Sequence, residues 1–80
     1  MYRFKGEVKA PKGQLDREER GEIRSYVEES AVEAAGEEKA LRMLARKLSA
    51  KILRLDPPRA ELSLPDYGSG VRLLVETYAE

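Results

Sequence analysis

Hydrophobic and polar positions alternate along residues 2–10. Tyr2, Phe4, Gly6, Val8 and Ala10 fall on one side, and Arg3, Lys5, Glu7 and Lys9 on the other. A sustained period of two predicts a half-buried strand. Pro11-Lys12-Gly13 ends it, because proline offers no ladder donor and glycine accepts turn geometry. The period then changes. Asp16 followed by Glu19 has the form of a capping box, whose acids answer the free amides of a helix's first turn. At ~100° per residue, Ile23, Tyr26, Val27, Ser30 and Ala34 project to one side, with Glu18, Glu22, Glu28, Glu29 and Glu33 away from it. The stripe is narrow and built of small residues, so it predicts a helix that packs closely and buries little.

Gly36 interrupts this pattern. Glycine suits the left-handed position after a helix, and Glu37 and Glu38 suit the first turn of the next. Leu41, Leu44, Ala45, Leu48, Ile52 and Leu55 share a sector of about 100° and predict a second helix. Pro57-Pro58 stops it near Leu55, since the residue before a proline avoids helical geometry. One unbroken helix over residues 16–55 would be roughly 60 Å long. A domain of this size has a radius of gyration near ~12 Å. The expectation is therefore two helices, the alternative being one long helix kinked near Gly36.

Ala60, Leu62 and Leu64 alternate with Glu61 and Ser63, and Pro65 to Gly70 is rich in turn formers. From Val71 onward, Val71, Leu73, Val75 and Thr77 face one way and Arg72, Leu74, Glu76 and Tyr78 the other. The order β-α-α-β-β predicts an α+β fold, a three-stranded, mostly antiparallel sheet with both helices on one face. All 80 residues are expected to form a single small domain.

Charge adds a second pattern. Residues 14–38 hold nine acids against three arginines, net −6, whereas residues 39–59 hold seven cations against Asp56, net +6. On the predicted second helix, Lys39, Arg42, Arg46, Lys47, Lys51 and Arg54 cover the outer half. Met43 and Leu53 lie among them. Apolar residues framed by charge indicate a partner surface. Arg42, Met43, Arg46, Lys47, Lys51, Leu53 and Arg54 are therefore one candidate contact surface, with Glu18, Glu22, Glu28, Glu29 and Glu33 as its acidic complement. In a helical hairpin only the flanks, Glu22 and Glu33 with Arg42 and Lys51, would meet. The sheet face turned away from the helices offers a second candidate in Arg3, Lys5, Lys9, Leu74 and Tyr78.

Composition narrows the chemistry. The chain has no His and no Cys, so disulfides and the usual zinc ligands are absent, as are the commonest general base and the best nucleophile. No catalytic residue, cofactor or metal site is expected, and the protein is read as a non-enzyme. Gly68-Ser69-Gly70 lacks phosphate-loop spacing and precedes a strand, which makes it a hairpin loop. No apolar run is long enough to span a membrane. The N-terminus has no signal-like core, so a cytoplasmic location is expected. Charged residues reach 38%, with no Asn and Gln14 the only Gln, a thermophile-like trend. The reading is a small intracellular protein acting as a homo-oligomer or on a protein partner through oppositely charged helix faces. The alternative is nucleic-acid binding through the basic helix or the open sheet face.

Overall fold

In the computed structural model, which describes residues 1–80, strand β1 (Tyr2–Lys9) leads into helix α1 (Arg17–Glu29) and the two-residue strand β2 (Ala31–Val32). Helix α2 (Glu37–Lys47) follows, then strands β3 (Lys51–Asp56), β4 (Arg59–Ser63) and β5 (Arg72–Ala79). The strands form one sheet in the order β2-β1-β5-β4-β3, every neighbouring pair antiparallel. The fold is α+β as expected, but the sheet has five strands rather than three.

The first helix starts as its sequence dictates. The Asp16 carboxylate accepts from the Glu19 amide at 2.7 Å, and the Glu19 carboxylate accepts from the Asp16 amide at 3.2 Å. Its end comes earlier than the stripe through Ala34 predicts. The Ser30 hydroxyl donates to the Tyr26 carbonyl at 2.7 Å, and the Ser30 amide turns to the same turn of carbonyls. The chain then leaves in extended geometry to pair with β1. Gly36 is the N-cap of α2 at φ 162°, which is extended backbone, and not a left-handed terminator of α1. Arg3 supplies the cation that the last turn of α1 lacks, donating to the Glu28 carbonyl at 2.9 Å and pairing with Glu80 at 3.4 Å.

The larger correction concerns residues 48–56. Helix α2 stops at Lys47, Ser49 adopts φ 53°, and the segment expected to complete the helix is edge strand β3. Pro57 and Pro58 form the two-residue loop of the β3–β4 hairpin, closed by the Asp56–Arg59 pair. A register shift lies between Ile52 and Arg54, with Leu53 the extra residue. Such a bulge resets the alternation. Ile52 and Leu55 therefore both face the helices although they stand three positions apart, and that spacing imitates a helical stripe.

Both helices lie on one face of the sheet, side by side rather than as a hairpin packed on itself. Phe4, Val8, Ile23, Val27, Leu41, Leu44, Leu62, Leu73 and Val75 belong to one continuous core. The close approach of α1 depends on Gly6. A methyl group there would lie 2.9 Å from Leu73 Cδ1 and 3.3 Å from Val27 Cγ1, too near for an unmoved neighbour. At one end of the strands, Gly70 (φ 85°) leaves room for the Pro11 ring, and Gly68 for Gln14. The glycine-rich loop is thus packed against the β1–α1 connection.

Candidate functional site on the open sheet face

The candidate cationic surface of the second helix does not exist as one face. Arg42, Met43, Arg46 and Lys47 are exposed on α2, whereas Lys51 and Arg54 project from β3 on the opposite side of the sheet. Leu53, at the bulge, is 49% exposed. The physical reason is the strand itself: two-residue alternation sends Lys51 and Arg54 where a helix would have kept them beside Arg46 and Lys47. The acidic set is scattered too. Glu18, Glu22, Glu28 and Glu29 are exposed along α1 and Glu33 follows β2, and none is ion-paired to the basic set. Arg42 pairs instead with Glu38, one turn earlier on α2, at 3.2 Å.

The second candidate group is brought together. Arg3, Lys5, Lys9, Leu74 and Tyr78 all stand on the face that no helix covers, because they occupy the odd positions of β1 and the even positions of β5, whose partners in register share a side. Register adds residues that the alternation of single strands did not join. Lys5, Glu76, Arg59 and Asp56 lie in one row across β1, β5, β4 and β3. The next row is Glu7, Leu74, Glu61 and Arg54, and the one after it Lys9, Arg72, Ser63 and Lys51. Signs alternate across the first row, and the two flanking charges of the second row oppose those of the first. The charges of the third row are all cationic, with Ser63 neutral among them. Asp56, Arg59 and Glu61 were legible as charges in the sequence, but only strand pairing makes them neighbours.

Between the first two rows runs a groove of about 570 Å³, crossing the strands over the backbone of Gly6, Val75 and Ala60. Its walls are the charged side chains of those rows, with Leu74, 39% exposed, the apolar point among them. Tyr78, 45% exposed, lies beside Arg3 at the far end of β5. Ion pairs within the face are uneven. Lys9 pairs with Glu7 at 3.1 Å, Arg72 with Glu61 at 2.6 Å and Lys5 with Glu76 at 4.0 Å. Lys51, Arg54, Asp56 and Arg59, on the β3–β4 side, have no ion-pair partner.

The sheet's edges are guarded. β2 covers only Tyr2 and Arg3 of β1, but Arg20 reaches from α1 to donate to the Val8 carbonyl at 3.3 Å. At the other edge, the bulge and the side chains of Lys51 and Arg54 obstruct a further strand. Charges and bulges at such positions oppose edge-to-edge pairing. No group of three or more acidic side chains is placed to share a metal ion, and no helix is long and apolar enough to cross a membrane. Neither known protein families, nor characterised proteins, nor solved structures gave a significant match to this chain.

Proposed function

We propose that this protein is a non-catalytic module that works by protein–protein contact, self-association first, through the open face of its sheet. The observation carrying this reading is the one-sided layering: helices cover one face and leave the other with ordered opposite charges around exposed Leu74 and Tyr78. Opposite charges across neighbouring strands stabilise the sheet itself, and the same rows offer charge complementarity that steers a partner and fixes its register. The small core points the same way. Scaffolds of this size hold ~3–5 kcal/mol and commonly draw further stability from association. Carboxylates stand in solvent, and neither His nor Cys is present to serve as base or nucleophile. Light scattering across protein concentration at low and high salt tests the proposal. The expected result is a mass above that of the monomer, falling as salt screens the charges. A monomer at every concentration and salt removes self-association.

A second reading rests on the cationic row Lys9, Arg72 and Lys51, with Lys12 just beyond β1. Such a row suits the phosphates of a nucleic acid. Filter binding checks it: retention at about 50 mM salt that declines steeply with added salt supports the reading, and no retention eliminates it.

A further inference from the structure

We propose that the occupant of the open face is a second copy of this chain, stacked sheet on sheet about a two-fold axis that lies along the groove and across the strands. The inference rests on the self-association reading above and specifies its geometry. A two-fold contact must be self-complementary, each residue i meeting j while j meets i. Rotation about an axis along the groove lays the row Lys5, Glu76, Arg59, Asp56 over the partner's row Glu7, Leu74, Glu61, Arg54. Lys5 then faces the partner's Glu7, Arg59 the partner's Glu61 and Asp56 the partner's Arg54, each contact occurring twice. Glu76 lies over the partner's Leu74. In the next row Arg72 comes over the ring of the partner's Tyr78, a favourable cation–π placement, while Lys9 comes over the partner's Arg3, whose charge is already answered by Glu80 and the Glu28 carbonyl.

The competing two-fold arrangement, with its axis parallel to the strands, also opposes unlike charges in these two rows. Two observations select against it. It would place the unpaired Arg54 and Asp56 over the partner's Glu7 and Lys5, which already hold partners of their own, whereas the transverse axis lets Arg54 and Asp56 satisfy each other. It would also align the long-range charge of the two molecules. At the strand ends Lys9, Arg72 and Lys51, with Lys12 and Arg17 beside them and Arg46 and Lys47 at the nearby end of α2, outnumber Asp16, Glu18, Glu19 and Asp66 and form a pole of net positive charge. The other end gathers Glu28, Glu29, Glu33, Glu37, Glu38 and Glu80, beside Arg3. A transverse axis sets the poles head to tail; the parallel one stacks like on like.

Size sets the strength. Four long strands ~4.8 Å apart, at ~3.3 Å per residue, give a contact burying on the order of 1,000 Å² in total, the low end for specific protein pairs. A concentration-dependent dimer is therefore expected rather than a permanent one.

Sedimentation of wild type, R54E, D56K and the double R54E/D56K provides the test. Both sites of change, Arg54 and Asp56, are exposed and free of ion pairs in the monomer. Each single change sets like charges against each other twice and is expected to raise the dimer Kd about tenfold. The double restores opposite signs only under the transverse axis and is expected to return Kd to within about threefold of wild type. A double weaker than either single overturns this geometry in favour of the strand-parallel one. A dimer indifferent to all three variants overturns the open face as the contact while leaving self-association standing. A wild-type monomer at millimolar concentration removes the broader reading and this one with it. K5E, E7K and their double repeat the test on β1 if a β3 variant melts below wild type.

Discussion

The two faces of this sheet are made by the same strands and obey different rules. Toward the helices, Phe4, Val8, Leu62, Leu73 and Val75 are buried in a continuous core. Toward solvent, the intervening residues of those strands are Lys5, Glu7, Glu61, Arg72, Leu74 and Glu76, arranged by sign. The covered face is held by burial and close packing, whose energies fall steeply when a shape is wrong. The open face is held by nothing of comparable strength, since exposed ion pairs contribute little to folding. The difference implies that stability and association are separately tunable, one from each side of the same strands.

Breaking the covered face should give the largest effect. Phe4→Ala removes a fully buried ring and is expected to cost about 3–5 kcal/mol, comparable to the whole stability of a fold this size. Circular dichroism should show a chain largely unfolded at room temperature. Gly6→Val tests the close approach of α1. It adds atoms where even a methyl meets Leu73 and Val27, with an expected loss of about 1–3 kcal/mol in urea unfolding. Asp16→Ala removes one half of the capping box and should lower stability by about 1 kcal/mol in the same assay. On the open face, Arg54→Glu should change monomer stability by less than ~0.5 kcal/mol, while its effect is read in the dimer equilibrium. A large fall in melting temperature for that variant would show that the two faces are not separable.

How much of this was readable beforehand depends on the segment. β1 and β5 were legible because each alternates over eight residues without interruption, and the Asp16–Glu19 signature marked the start of α1 directly. The sheet-face candidates Lys5, Lys9, Leu74 and Tyr78 followed from those alternations. β2 was illegible because two residues carry no period. β3 misled: the bulge at Leu53 puts Ile52 and Leu55 at helical spacing, and Leu48 before them extends the same false stripe. The left-handed Ser49 left no mark that composition alone reveals. Misplacing β3 moved Lys51 and Arg54 to the wrong side of the molecule, and with them the proposed basic surface. The rows of charge required strand order, which joins β1 to β5 across most of the chain.

That pairing has a consequence for biosynthesis. The sheet's middle strand is the last to be made, so β1 waits beside its future position until residues 72–79 emerge. Before then β1 and the β3–β4 hairpin have no strand to join them, and their apolar sides have only the helices for cover. Partners so far apart in the chain make for slow closure. The nascent polypeptide is therefore most exposed to chaperones and proteases until residues 72–79 have emerged.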